Sequence, residues 1–409
     1  MNHLLAMNKL FSTVFAIAFC LFLARCSNEG VVPDGTPVEV SPQVAARTTD
    51  FAFNFFKGVQ ATQPAQENLF VSPLSLQMAL GMLLNGAEGE TAQQITKTLK
   101  MEGVSQSDLN QAYKALLEGL PNADPKVEVG LANSIWYRNT FQVESDFLNV
   151  LRQSFGAEVA GLNFNDPSAK DKINDWASSK TNGKIPKVID EIRPEHVLFL
   201  MNTLYFKGDW KYKFDPKSTS DAPFRLANDS EKTVKMMSLK ENFKVAHQAS
   251  YSAVQLPYAN GQFNLTLLIP DEGISANQVI DGLSATAWNE LRTSLLKEAN
   301  VRVGLPRFTL QYEIKLNDAL IAMGMPKAFT DAAELGKINP TAPLMVNFVK
   351  QNTYLGIDEK GTEAAAVTTI GVGVTSVGPD PYVCNRPFVL LISENTSNTI
   401  LFMGRIMNP

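Results

Sequence analysis

The first third of the chain places its apolar residues at helical spacing, and the remainder alternates short apolar runs with turns. Thr48 to Gln60 carries Phe51, Phe55, Phe56 and Val59 on one helical face. Ser72-Pro73 supplies an N-cap and a proline at the first position, and Leu76, Ala79, Leu80, Leu83 and Leu84 follow on one stripe. Gly86 and Gly89 end that helix, and Thr91 begins the next. Asp108–Leu120 and Ser168–Lys180 are predicted as further amphipathic helices. Strands are predicted at Val127–Trp136, Val197–Phe206, Val254–Leu256, Phe263–Ile269, Val301–Leu305, Leu344–Phe348, Thr353–Ile357, Phe388–Ser393 and Thr399–Arg405. Helices first and strands later predict an α+β fold with a large, mostly antiparallel sheet.

One stretch does not fit a solvated loop. Gly361 to Pro381 reads GTEAAAVTTIGVGVTSVGPDP, with nine β-branched residues, no Lys, Arg or aromatic residue, and only Glu363 and Asp380 charged. Such a segment favours strand pairing and is an aggregation hazard if left exposed. Thr362, Ala364, Ala366, Thr368, Ile370, Val372 and Val374 share one face of a strand, and none is charged. That face can enter a sheet without burying a charge.

Leu10 to Ala24 is a 15-residue apolar run after Lys9, short for a bilayer span, so residues 1–25 are expected to be an export signal. Cys26 follows Leu23-Ala24-Arg25 and resembles a bacterial lipobox, apart from Arg25 where a small residue belongs. Cys26 is the expected lipidation site, and two or more acyl chains on it would anchor the protein stably. An ordinary cleaved signal is the alternative, so the exported protein is expected to be an outer-membrane or cell-surface lipoprotein, or secreted. Residues 26–45, rich in Pro, Gly and Val, are predicted to be a flexible tether, leaving 46–409 as one domain.

Losing Lys9 and Arg25 takes the net charge from −5 to −7, which disfavours nucleic acid and anionic membrane surfaces as partners. With the signal removed, only Cys26 and Cys384 remain, so no internal disulfide framework is expected. The search for catalytic chemistry yields little. His196 and His247 lack metal-ligand spacing, so neither a metal nor a cofactor is expected. Cys384 lies in the apolar run Tyr382-Val383-Cys384 and reads as a structural thiol. Ser294-Leu-Leu-Lys297 matches a Ser-x-x-Lys pattern without its companion motifs, and Gly371-Val-Gly373 lacks the third glycine of a dinucleotide fingerprint. Nothing here supports an enzyme.

Several motifs, in order and together covering nearly all of 48–409, resemble the serpins. They are Asn68-Leu-Phe-Val-Ser-Pro-Leu-Ser75 running to Asn85-Gly-Ala-Glu-Gly-Glu-Thr91, Ile173-Asn-Asp-Trp176 with Thr181-Asn-Gly-Lys-Ile185, and Asn202-Thr-Leu-Tyr-Phe-Lys-Gly-Asp-Trp210. Leu305-Pro-Arg-Phe308, Gly324-Met325 to Phe329, Arg386-Pro-Phe388 and Phe402-Met-Gly-Arg-Ile-Met-Asn-Pro409 complete the set. The chain departs from the pattern at Gln351, where many serpins have a histidine, a position expected near the top of the central sheet.

The resemblance implies a serpin fold with N-terminal helices and an exposed reactive-centre loop over 359–381. Glu359, Gly361, Thr362, Glu363, Ala364, Ala365 and Ala366 would form its hinge. It further implies suicide inhibition, in which the loop acylates a protease and inserts into the sheet before deacylation. The family's spacing from Glu359 sets the scissile bond after Thr375, before Ser376; counting back from Pro387 gives Ser376, and Val374 also stays open. With no Lys, Arg or aromatic residue available, the expected target is an elastase-like or broad subtilisin-like serine protease, with papain-like cysteine proteases secondary. Only Lys114 and Lys126 are basic in residues 105–126, so no heparin-like activator is expected, and a monomer is. The alternative is a non-inhibitory serpin acting as a binding or chaperone module.

Overall fold

The structure, a computed structural model, describes residues 35–362 and 382–409. Nine α-helices are found among these residues. They are α1 (Pro42–Thr62), α2 (Pro73–Gly86), α3 (Gly89–Thr98), α4 (Gln106–Gly119), α5 (Ser145–Phe155), α6 (Ser168–Lys180), α7 (Ala276–Gly282), α8 (Ala285–Ser294) and α9 (Asn317–Ala322). The fourteen strands are β1 (Leu69–Val71), β2 (Val127–Arg138), β3 (Glu158–Leu162), β4 (Leu198–Asp209), β5 (Ser220–Arg225), β6 (Glu231–His247), β7 (Tyr251–Pro257), β8 (Phe263–Pro270), β9 (Leu296–Pro306), β10 (Phe308–Lys315), β11 (Lys350–Ile357), β12 (Gly361–Thr362), β13 (Phe388–Glu394) and β14 (Ile400–Ile406).

They form two sheets. The six-stranded sheet runs β10-β11-β12-β4-β2-β3, and only its β2–β3 pair is parallel. The eight-stranded sheet runs β1-β14-β13-β8-β7-β6-β5, with β9 joined to β6. Helix α2 packs against β4 of one sheet and β14 of the other. Its start follows from chemistry: the Ser72 hydroxyl accepts from Ser75 N at 3.1 Å, and Pro73 needs no partner at the first turn. The helix is apolar nearly all round, as its place between two sheets demands.

Alternation assigns the faces of the six-stranded sheet. Leu204 and Phe206 of β4 point into the main core with α2, whereas Phe199 points to the other face. There α6 covers a second apolar cluster of Trp136, Ile173, Trp176 and Phe199. We call this second face the front.

Three expectations need correction. The tether ends sooner than residue 45, because α1 begins at Pro42 with Ser41 as its cap. Ahead of it, Thr36 N donates to Ala123 O at 3.2 Å, and Val38 is buried against Gly119. Leu344–Phe348 alternates in exposure but belongs to no strand. Gln351 lies near the start of β11, paired with Ile314, at the opposite end of that strand from Ile357 and the hinge.

Candidate functional site

The site begins where β11 ends. After Ile357 the chain reverses through Asp358, whose Oδ1 accepts from Lys360 N at 2.8 Å and Gly361 N at 3.2 Å. This is an aspartate turn, in which the side chain replaces a backbone acceptor. Asp358 N donates to Gly361 O at 3.0 Å, and Thr362 then pairs antiparallel with Ile357. Burial raises the Asp358 carboxyl above its ordinary range, against the lowering effect of the two backbone donors.

On the other side, Gly361 pairs with Asp209 and Thr362 with Gly208 of β4. The fit leaves no room at Gly361, where a Cβ would stand 2.1 Å from Gly208 O. Glycine is required there by close approach. Strand β12 is therefore a two-residue wedge, antiparallel to both neighbours, and β4 and β11 run parallel to each other.

Five residues from other parts of the chain hold the wedge. Trp210 N donates to Lys360 O at 2.8 Å, Trp210 Nε1 to Asp358 O at 2.8 Å, and Phe214 N to Glu359 O at 3.0 Å. The buried Glu359 carboxylate accepts from Thr219 Oγ1 at 2.8 Å and pairs with Arg307 Nη1 at 3.3 Å. The Thr362 hydroxyl lies 2.6 Å from Tyr258 OH. Tyr258 stacks on Trp210 at 4.6 Å and meets the edge of Phe206 at 5.0 Å. Burial pushes the Tyr258 phenol up, so it remains a neutral partner for Thr362.

Beyond the wedge, no ladder joins β4 to β11 among the described residues. A cavity of about 480 Å³ lies between them, with Leu200 and Asn202 on the β4 side, Gln351 on the β11 side and Leu76 and Leu80 of α2 behind. Gln351 fastens β11 to α2 by both ends of its amide. Its Oε1 accepts from Ser72 N and its Nε2 donates to Ser72 O, each at 2.9 Å. An amide holds this contact at any pH, which a histidine would not. Asn202 donates to Asn133 Oδ1 at 2.7 Å, while its own Oδ1 is buried without a partner among the described residues.

Tyr382 is fixed beside β9. Gly304 N donates to Tyr382 O at 3.1 Å, and Cys384 N donates to Gly304 O at 2.8 Å. Tyr382 OH lies 3.1 Å from His247 Nε2, and His247 Nδ1 lies 3.0 Å from Ser252 Oγ. His247 is thus a structural neighbour of the segment's exit. Cys384 is fully buried, which pushes its thiol up and leaves it unreactive. His196 packs against Phe199 and Phe348, its Nδ1 accepting from Arg193 N at 3.1 Å. The Ser294 hydroxyl donates to Leu291 O and accepts from Gln248, as a helix-end residue does.

Of the expected hinge, the structure places Glu359, Gly361 and Thr362 together at the wedge. Glu363, Ala364, Ala365, Ala366, Val374, Thr375, Ser376 and Cys26 lie outside the described residues. Sequence reasoning missed the partners Thr219, Trp210, Arg307 and Tyr258. Trp210 and Arg307 sat inside motifs that were recognised, but nothing local tied them to Glu359 or Lys360. Tyr258 carried no signal.

A family model described as serpin (serine protease inhibitor) matches residues 46–409. The leukocyte elastase inhibitor of Sus scrofa is 32% identical over 379 residues, covering 90% of this chain and 100% of that protein. The protein of the same name from Homo sapiens is 30% identical over 380 residues, covering 90% and 100%. Among solved structures, the thermophilic serpin tengpin in its native state is similar with a TM-score of 0.81 at 31% identity, covering 91% of this chain and 96% of that one. Thyroxine-binding globulin in complex with thyroxine gives a TM-score of 0.82 at 26% identity, covering 90% and 99%. From the span of that match and the extent of these likenesses, the chain belongs to the serpin family.

Proposed function

We propose that this chain is a suicide inhibitor of serine proteases that cut after a small or β-branched residue. The observation that carries the reading is the wedge: Gly361 and Thr362 already occupy a strand position between β4 and β11. The protease serine attacks the carbonyl of Thr375, or of Val374 or Ser376 in the neighbouring registers. An acyl-enzyme forms there, and the chain beyond leaves with a new amino terminus. The acylated segment then extends β12 downward.

Continuing the register sets Ala364 against Phe206 and Leu355, and Ala366 against Leu204 and Thr353. Thr368 would reach Asn202 and Gln351, where Asn202 Oδ1 lacks a partner among the described residues. Each core-facing residue in this run is small or hydroxylic, so the strand can enter without a clash. Insertion exchanges an unladdered parallel border for two antiparallel ladders, the more stable pairing. About a dozen new hydrogen bonds at ~1 kcal/mol each, with apolar burial, amount to on the order of 10–20 kcal/mol. That is enough to distort a protease held at the end of the strand.

The composition of Gly361–Pro381 supports a target with a shallow pocket, elastase-like or broad subtilisin-like. Relatives named leukocyte elastase inhibitor favour the same class. Papain-like cysteine proteases are a secondary target in this reading. A monomer suffices, and no heparin-like cofactor is needed. The apolar run Leu10–Ala24 and Cys26 support export and a lipid anchor, tested by fatty-acid labelling that Cys26→Ser should abolish.

Incubation with a protease panel, followed by SDS gels and mass spectrometry of the released peptide, tests the function. A covalent complex with an elastase-like enzyme and a peptide starting at Ser376 are expected. Cleavage by every such enzyme without a covalent complex would refute inhibition and leave the non-inhibitory reading.

A further inference from the structure

From Met237 to Phe243, strand β6 pairs with β9 alone among the described residues, and the cations of this ribbon face one another. Lys240 is in register with Arg302, and Lys244 with Lys297. Like charges directly opposite on neighbouring strands destabilise a sheet. Alternation along β6 sets Lys240 and Lys244 on one face and the buried Phe243 and Val245 on the other. The register brings Arg302 and Lys297 to the face of the lysines, whereas Glu241 and Glu298 stand opposite Val301 and Phe243 on the other. Lys235, further back along β6, pairs with Asp221 at 2.8 Å. Lys240, Lys244 and Lys297 are exposed, and none has a carboxylate partner among the described residues. Arg302 Nε reaches Ser238 Oγ at 3.4 Å. A chain of net charge −5 thus gathers cations on one face at a cost to its own stability.

The place of this face says what meets it. Gly304, two residues beyond Arg302 on β9, bridges Val383, and its N–H donates to Tyr382 O. Lys240, opposite Arg302, therefore lies only ~7 Å along the ribbon from that point. The six residues from Ser376 to Tyr382 span at most ~20 Å. A serine protease of ~200–250 residues has a radius of gyration of ~17 Å. An enzyme seated on the Thr375 carbonyl thus brings its own surface within reach of the ribbon.

We propose that the β6–β9 face carrying Lys240, Lys244 and Lys297 is a docking surface for an acidic patch on the target protease. This rests on the inhibitor reading above and adds a second determinant of specificity to the loop. Carboxylates from the partner would pair the lysines and relieve their mutual repulsion, so the gain on docking exceeds that of isolated surface pairs. Charges at the rim of an interface act before contact, by steering the encounter, and they are screened by salt. The face therefore selects, among enzymes whose pockets accept Thr or Val, those whose active-site rim is acidic. An enzyme with a basic rim would meet the loop more slowly.

The test measures association rates of the full chain with proteases of acidic and basic rim, at low and high salt. Lys240→Gln, Lys244→Gln and Lys297→Gln together should slow the acidic enzyme about three- to tenfold at low salt and flatten its salt dependence. The melting temperature should not fall, because like-charge pairs are removed. Lys244→Glu alone should slow that enzyme more than Lys244→Gln does. As a control, Lys97→Gln, Lys114→Gln and Lys170→Gln on α3, α4 and α6 remove the same charge and should leave the rate within about twofold. Equal slowing by both triple variants, or an unchanged salt slope in the first, would overturn the docking face. So would retention on immobilised polyphosphate that the first triple variant loses while its protease rates stay the same, since the face would then belong to a polyanion. Loop cleavage is followed alongside complex formation. An enzyme that cleaves the loop with the expected salt dependence and never forms a covalent complex would refute inhibition and leave the docking face standing.

Discussion

The hydroxyl of Thr362 stands 2.6 Å from that of the buried Tyr258, so the wedge is fastened to the core by a side chain as well as by its backbone. Removing the phenol oxygen in Tyr258→Phe leaves a buried hydroxyl without this partner, at a cost of about 1–3 kcal/mol. The hinge should withdraw more often, seen as faster limited proteolysis between Asp358 and Thr362. Thr362→Arg is the severe version. A guanidinium has no place beside Tyr258, and the protein should become a plain substrate. Persistence of SDS-stable complexes with that variant would contradict loop insertion.

Gly361→Ala tests the closeness of the wedge. A Cβ there would meet the backbone Gly208 O at 2.1 Å, and both residues are held in place by strand pairing. The wedge should leave the slot altogether. We expect changed fluorescence of Trp210, which bonds Asp358 O and Lys360 O, and a larger cleaved fraction with target protease.

Glu359 is the buried end of an ion pair with Arg307 and an acceptor for Thr219. Glu359→Lys sets two cations side by side and strands the threonine hydroxyl. A loss on the order of 3 kcal/mol or more is expected, read as a shift in a urea-gradient gel. Glu359→Gln keeps the Thr219 bond and should lose only about 1 kcal/mol.

The foot of the slot should be acid-sensitive through His196. Burial holds its imidazole below the ordinary value, Arg193 and Arg138 act the same way, and Glu195 and Glu191 oppose them. As pH falls past about 6.5 the unfolded chain takes up the proton first, so the folded state loses stability on acidification. The slope for one such group is at most ~1.4 kcal/mol per pH unit. Fixed-rate thermal scans at pH 7.5 and 5.5 should show a drop that His196→Gln removes.

Much of this was legible in the sequence, for reasons that can be named. Helix α6 was predicted at its observed bounds, and α2 by its Ser-Pro start. Ser41-Pro42 is the same signal and opens α1, but the surrounding Pro and Gly suggested a tether. Leu344–Phe348 alternates as a strand should, yet Val346 N bonds Ala328 O rather than a neighbouring strand. Alternation reports an extended chain and not its partner. Strand β6 escaped notice because a bulge at Glu241 to Phe243 interrupts its period. The two residues of β12 were marked by composition as insertable, but only the tertiary fold brings Tyr258, Trp210 and Gly208 to them.

The missing rung between β4 and β11 has a further consequence. If the proposed insertion takes place, the sheet keeps a vacancy for its own chain, is not at its lowest free energy, and holds its native form only because a barrier is slow to cross. Shelf life and working power then pull in opposite directions. A substitution that fills the 480 Å³ cavity or locks β4 to β11 should lengthen storage and weaken the trap. On the insertion reading, a variant with a higher melting temperature should trap less protease.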